Sequence, residues 1–112
     1  MTLDEQKPSP DLTATLNQLW IRFLPDIHQR VAILDTAAQA YATGEITPEQ
    51  REAAHAAAHK LAGSLGTFGL AQGSELAREF EHACTSEESC ASTPATRLVA
   101  IATEILAIID AR

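Results

Sequence analysis

The sequence predicts an all-α protein, an antiparallel four-helix bundle with a short additional N-terminal helix. Its 112 residues suit one domain with a single core. Apolar residues make up 46% of the chain and aromatic residues 4%, so the core is built from Leu, Ile and Ala, a mixture that favours helices. Apolar residues also recur at helical spacings of three and four. We therefore expect a flexible arm over residues 1–10 and the bundle over residues 11–112.

The segment after Pro10 carries the first apolar row. Its members follow one helical face: Leu12, Leu16, Leu19, Phe23, Ile27, Val31, Leu34, Ala38 and Tyr41. Pro25 removes a backbone donor and clashes with the preceding turn. We therefore predict a short first helix to about Leu24, lying across one end of the bundle, and a second from about Pro25 to Thr43. Gly44 would follow its C-terminus.

The next helix has a clear start signal. Thr47 is a suitable N-cap, Pro48 suits the first helical position, and Gln50 stands three residues after the cap. The helix is expected to run to about Thr67, with Gly69 available for a left-handed stop.

Two more helices complete the bundle. One is predicted from about Leu70 to Cys84, and its buried face holds Leu76, Phe80 and Ala83. The TSEESCAST stretch that follows is predicted to be a loop. Thr93 and Pro94 then repeat the cap-and-proline signal, and the buried face of the last helix holds Leu98, Ile101, Ile105 and Ile108.

Charge and composition exclude several function classes. The net charge is −7, which argues against binding to nucleic acid or to an anionic membrane. No leader segment is evident, and no apolar run approaches the roughly 18 residues of a membrane span. We expect a monomer that stays in the cytoplasm. Without a secretion signal, Cys84 and Cys90 are expected to be free thiols, although their pairing stays open.

The stretch AHKLAGSLGTFGL, residues 57–69, places two glycines after a histidine within a helix. Each glycine costs about 1 kcal/mol relative to alanine. On a helical wheel His59 lies about 130° from the centre of the buried arc and so faces solvent. The expected neighbours on that face are small or polar: His55, Ala62, Gly63 and Gly66. Bare backbone beside an exposed imidazole suits a docking partner that brings its own reactive group to the ring.

His59-Lys60-Leu61-Ala62-Gly63-Ser64, with Gly69 ten residues after the histidine, resembles the motif of histidine-containing phosphotransfer (HPt) domains. The family pattern is His-x-(Leu/Ile)-Lys-Gly followed by a glycine at this spacing, and the resemblance covers roughly Leu19 to Ile109. It implies a four-helix bundle that accepts a phosphoryl group on His59 and passes it on within a phosphorelay. The implied partners are response-regulator receiver domains and a cognate hybrid histidine kinase. The implied carrier is not an enzyme: it has no cofactor, ATP site or metal of its own, and Mg²⁺ belongs to the receiver.

The chemistry needs one imidazole nitrogen free to attack and the other holding a proton. The resemblance places a Glu or Gln twenty-two residues after the histidine, here Glu81, to orient His59 through Nδ1. One departure concerns the lysine that the family commonly has three residues after the histidine, because Ala62 stands there. Lys60 and Arg78 are the candidate cations for the phosphoryl oxygens.

The sequence also allows four other interpretations. Glu52 with His55, and Glu79 with His82, are Glu-x-x-His pairs of the kind found in di-metal bundles, but helical wheels turn them away from the core. His55 and His59 are spaced for a surface zinc ion without an evident third ligand. A helical interaction module without phosphoryl chemistry would use the same bare surface. The GSLGTFG segment lacks Gly-Lys-Ser/Thr, which argues against a nucleotide site.

Overall fold

The computed structural model describes residues 10–112, which form five helices. They are α1 (Pro10–Ala42), α2 (Pro48–Thr67), α3 (Ala71–Ala83), α4 (Glu87–Ala91) and α5 (Ala95–Ala111). The predicted arm lies outside the described residues except for Pro10, which begins α1. Helices α1 and α3 each contact both α2 and α5, so the four long helices close into a bundle. The predicted all-α bundle is confirmed.

Contacts between the helix ends show that neighbouring helices are antiparallel. The ring of Trp20 packs edge-on against that of Phe68, which follows α2, with 5.1 Å between their centroids. The guanidinium of Arg112, after α5, lies 4.7 Å from the centroid of the same Trp20 ring. At the other end of the bundle, the Tyr41 hydroxyl donates a 2.8 Å hydrogen bond to the carbonyl oxygen of Thr93. The start of α1 therefore lies beside the ends of α2 and α5.

Helix α1 is continuous through Pro25, so the predicted break and the separate short N-terminal helix were wrong. Pro25 lies on the exposed face, whereas Trp20 and Ile27, on either side of it along the chain, are buried. Burial of apolar side chains on both sides of the proline outweighs the missing backbone hydrogen bond. The 33 residues of α1 span about 50 Å as a single helix.

The start of α2 is as predicted. The backbone N–H of Gln50 donates to the Thr47 hydroxyl oxygen at 3.1 Å, and the Thr47 N–H donates to the Gln50 side chain at 2.9 Å. Pro48 is the first residue of the helix. Gly69 has a φ of +77°, as a left-handed stop requires. This capping box fixes the register of the helix that carries the candidate site.

The connection between α3 and α5 contains a helix that the sequence analysis missed. Helix α4 begins after Ser86, whose hydroxyl oxygen accepts a 3.1 Å hydrogen bond from the backbone N–H of Ser89. Glu87 and Glu88 lie in its first turn, where the helix dipole favours acidic residues. Cys90, within this helix, is buried. The serine and the two glutamates were the signal for this helix.

The predicted cap of α5 was also wrong. The Thr93 hydroxyl donates back to the carbonyl oxygen of Ser89 instead of accepting from α5. Pro94 takes the N-cap position, one residue later than predicted, and offers no side-chain acceptor. The buried face of α5 includes Leu98, Ile101 and Ile105 as predicted, and Ile109 is more deeply buried than Ile108.

The core is mainly aliphatic, and both cysteines are buried free thiols. The predicted buried residues of α3, Leu76, Phe80 and Ala83, all belong to it. Burial, reinforced by the neighbouring Cys90, raises the pKa of the Cys84 thiol to about 11. Burial also raises the pKa of Cys90. Within residues 10–112, no helix has the length and apolarity needed to cross a membrane.

Candidate functional site

His59 stands on the outer face of α2, with 72% of its side chain exposed. The adjacent Ala58 and Leu61 are fully buried, so the amphipathic pattern of α2 turns the imidazole outward. Its Nδ1 lies 2.8 Å from Oε2 of Glu81 on α3. An ionised carboxylate can only accept a hydrogen bond, so Nδ1 carries the proton. A neutral ring with its proton on Nδ1 has its lone pair on Nε2.

Glu81 occupies the groove between α2 and α3 and is less exposed than the histidine it contacts. Its side chain is 23% exposed, and its Oε2 also lies 3.9 Å from Nε2 of His55. His55 is one helical turn before His59 and has a 40% exposed side chain. The predicted residues His55, His59 and Glu81 therefore form one cluster around a single carboxylate oxygen.

The close approach of α2 and α3 depends on small residues that face each other. The Ser74 hydroxyl is buried and donates a 2.7 Å hydrogen bond to the carbonyl oxygen of Ala62. A Cβ atom added at Gly66 would lie 3.4 Å from Oγ of Ser74. One added at Gly73 would lie 3.1 Å from a methyl carbon of Leu65. Gly66 is thus partly a helix-packing residue, and the sequence analysis missed Ser74.

Ala62 is not on the exposed face where it was predicted to frame His59. It is 5% exposed and packs in the core, because α2 turns this position towards α3. The Cβ of a lysine at this position would lie on the buried side of α2. The placement of Ala62 in the docking surface was therefore wrong.

Gly63 is the open position beside His59. A Cβ atom built at this residue would find no atom within 4 Å. Packing inside the bundle therefore does not require glycine here. The absence of a side chain leaves bare helix backbone on the face that His59 presents to solvent.

The two candidate cations lie on opposite sides of this face. Lys60 lines a groove between α1 and α2 together with Asp26 and Arg30. Arg78 lines a groove between α3 and α4 that also includes Glu88. Within residues 10–112, the structure shows no hydrogen bond or ion pair for either cation, and it does not bring either onto His59.

The residues of the two Glu-x-x-His pairs are not arranged as metal ligands. The Glu79 carboxylate is bound by the Arg97 guanidinium through two hydrogen bonds of 2.6 and 2.7 Å. These hydrogen bonds lower the pKa of Glu79. Glu52 and His82 are exposed. The described part of the chain contains no group of three His, Cys, Asp or Glu side chains arranged to hold a metal ion.

The chain is similar in sequence to known proteins. Protein RcaC of Microchaete diplosiphon is 39% identical over 69 residues, which are 62% of this chain and 11% of that protein's length. No solved structure gives a significant match. The family model "Hpt domain" matches residues 18–111, which cover α2 to α5 and all of α1 except its first eight residues. Such domains carry phosphoryl groups on histidine in phosphorelays and interact with receiver domains and kinases. The chain belongs to the Hpt domain family.

Proposed function

We propose that this chain is a phosphoryl carrier that accepts a phosphoryl group on Nε2 of His59. The observation that carries the proposal is that the His59 ring is both exposed and hydrogen-bonded through Nδ1, which sets its tautomer. Most of the His59 side chain is open to solvent, and its Nδ1–H is bound to Glu81 at 2.8 Å. Nε2 is then the unprotonated nitrogen, with room for an approaching group.

The transfer is a displacement at phosphorus. Nε2 of His59 forms the N–P bond as the bond between phosphorus and the aspartate oxygen of a phosphorylated receiver breaks, and the aspartate leaves as a carboxylate. Transfer to a second receiver aspartate is the reverse reaction. The chain supplies orientation and an exposed nucleophile, so it acts as a carrier and not as an enzyme.

Glu81 is proposed to act through Nδ1. As the N–P bond forms, positive charge develops on the imidazole, and the carboxylate 2.8 Å away stabilises that charge. The proton stays on Nδ1 throughout, because the hydrogen bond satisfies it in both forms of the ring. Glu81 therefore sets the tautomer and stabilises the charged ring without becoming a nucleophile.

The docking surface for the receiver is proposed to centre on His59 and the open backbone at Gly63. His55 and the exposed edge of Gly66 extend it along the groove between α2 and α3. A receiver must bring its aspartyl phosphate within bonding distance of Nε2, which bulky side chains beside His59 would prevent. The clear space around Gly63 supports this placement.

Lys60 and Arg78 are proposed as the cations that steady the phosphoryl oxygens in place of the family's usual lysine. Both are exposed and lack polar partners within the described residues, so their long side chains are available to a new anion. Lys60 follows His59 directly on α2, and Arg78 lies one turn before Glu81 on α3, so both long side chains start near the ring. The partner receiver supplies Mg²⁺ in this scheme, and the proposed carrier is a cytoplasmic monomer.

The decisive experiment is transfer from a purified receiver carrying a labelled aspartyl phosphate. We expect the chain to acquire label that is lost in acid and kept in alkali, as for phosphohistidine. His59→Gln should acquire none. His28→Gln is the matched control, because His28 is also exposed but pairs with Asp110 on α5. Label that persists on His59→Gln, or no label on the native chain from any phosphorylated receiver tested, would contradict the proposal.

A further inference from the structure

Two imidazoles from successive turns of α2 flank a single carboxylate oxygen. Oε2 of Glu81 is 2.8 Å from Nδ1 of His59 and 3.9 Å from Nε2 of His55. His59 has the hydrogen bond, and His55 is the other polar side chain recorded beside this carboxylate within residues 10–112. His55 has no role in the displacement at phosphorus described above.

The distance to His55 is about 1 Å longer than a hydrogen bond. A carboxylate oxygen has two lone pairs, so Oε2 can accept from a second donor without releasing His59. Modest rotation of the His55 ring or of the Glu81 side chain is enough to close the gap, since both side chains are partly exposed. The two histidines are then simultaneous donors to one acceptor.

Such an arrangement restricts Glu81. A glutamate side chain has three rotatable bonds, and fixing it has a substantial entropic cost. A second donor on the same helix favours the rotamer in which Oε2 already faces His59. The cost of orienting Glu81 is then shared between two contacts, and the hydrogen bond to Nδ1 of His59 forms more often.

We propose that His55 is a positioning residue that holds Glu81 against His59 and so maintains the Nδ1–H tautomer of the acceptor ring. This inference rests on the proposed function for its kinetic consequence. Its structural consequence, the tautomer of His59, is independent of any transfer. His55 acts through Glu81 and does not touch the phosphoryl group.

The test compares His55→Leu, which removes the donor, with His55→Gln, which keeps an N–H donor on a side chain of similar reach. Long-range ¹H–¹⁵N NMR of the imidazole nitrogens reports the His59 tautomer, and receiver-to-chain transfer reports the rate. We expect His55→Leu to lower the Nδ1–H fraction of His59 and to slow transfer about two- to fivefold, the range for a partly exposed polar contact. His55→Gln should restore most of both. His82→Leu should match the native chain, because His82 is an exposed histidine of α3 whose side chain has no polar contact within residues 10–112.

A double-mutant cycle separates positioning from direct contact with the partner. If His55 acts through Glu81, His55→Leu should have no further effect in a Glu81→Ala background. An equal effect in both backgrounds, or a His59 tautomer unchanged by His55→Leu, would overturn the inference. Failure of the native chain to accept label would instead overturn the proposed function, because the NMR comparison decides the role of His55 without any receiver.

Discussion

The hydroxyl of Ser74 and the carbonyl oxygen of Ala62 are joined by a 2.7 Å hydrogen bond in the interior, between α3 and the middle of α2. Ala62 is three residues after His59, and Ser74 is seven residues before Glu81. One buried contact therefore fixes the two helices relative to each other about one turn from His59 on α2 and about two turns from Glu81 on α3. Gly66 faces the same serine, and a Cβ atom added there would make an ordinary van der Waals contact with its Oγ at 3.4 Å.

Ser74→Ala should lower the free energy of unfolding by about 1 kcal/mol, since it removes a buried donor while Ala62 keeps its helical hydrogen bond. Chemical denaturation measures this loss. Transfer to His59 should also slow, because the separation of His59 and Glu81 is less well defined. Ser92→Ala is the control, because the Ser92 hydroxyl bonds only within its own exposed segment. Equal stability of the two variants would show that the buried hydrogen bond contributes nothing measurable.

Glu81→Ala should slow transfer, but less than loss of His59 does, because orientation of the ring is only one part of its reactivity. The fold should remain intact, since the side chain is near the surface. Glu75→Ala, an exposed carboxylate earlier on α3, is the matched control and should transfer at the native rate. Indistinguishable rates for the two variants would remove Glu81 from the proposed mechanism.

Substitutions at Gly63 test helix stability and access to the site separately. Gly63→Ala should raise the free energy of unfolding by up to about 1 kcal/mol, because the position is open and alanine favours the helix. Gly63→Leu should also fold but transfer much more slowly, since a branched side chain occupies the approach to His59. Thermal unfolding and transfer rates should therefore move in opposite directions. Normal transfer by Gly63→Leu would contradict the steric account of this glycine.

Pro25→Ala should stabilise the bundle. The proline is exposed within the continuous α1, and replacing it supplies an N–H for the carbonyl of Ile21 and removes a steric clash. The gain can reach about 3 kcal/mol if the helix is otherwise undisturbed. Thermal unfolding followed by circular dichroism measures it, with Ala32→Gly as a variant expected to change stability in the opposite direction. A less stable Pro25→Ala would mean that a bend at Pro25 is required by the packing of α1.

The raised pKa of Cys84 predicts a loss of stability at alkaline pH. The unfolded thiol ionises near its ordinary value of 9.0, whereas the buried thiol keeps its proton to about 11. The unfolded state therefore binds fewer protons above pH 9, and the contribution present below that pH is lost as the pH rises towards 11. Denaturation at pH 8 to 11 should show a smaller decline for Cys84→Ala than for the native chain. An equal decline in stability for both proteins would show that ionisation of Cys84 does not cause the alkaline loss.

The sequence predicted those parts of the fold that depend on local chemistry. Thr47 and Gln50 form the expected capping box because both partners lie within one turn. His59 is exposed because the apolar residues of α2 fix which face is buried. The spacing of Glu81 came from the family resemblance, and the structure shows the distance that this spacing produces.

The errors arose where packing between helices overrides local preference. Pro25 was expected to end a helix, but the burial of Trp20 and Ile27 maintains α1. Ala62 was assigned to the wrong face because the α2 wheel did not include the closely packed α3. Ser74 was missed because the sequence does not show that its hydroxyl binds a carbonyl oxygen on another helix.

The hydrogen bond between Glu81 and His59 also bears on how long a modified chain lasts. An imidazole open to a docking protein is equally open to water, and hydrolysis of a phosphohistidine is faster when a nearby base activates the attacking molecule. The Glu81 carboxylate contacts the ring at Nδ1, on the side away from Nε2. In the proposed phosphorylated form, the contact that sets the tautomer of His59 therefore also keeps the Glu81 carboxylate away from water that attacks phosphorus on Nε2.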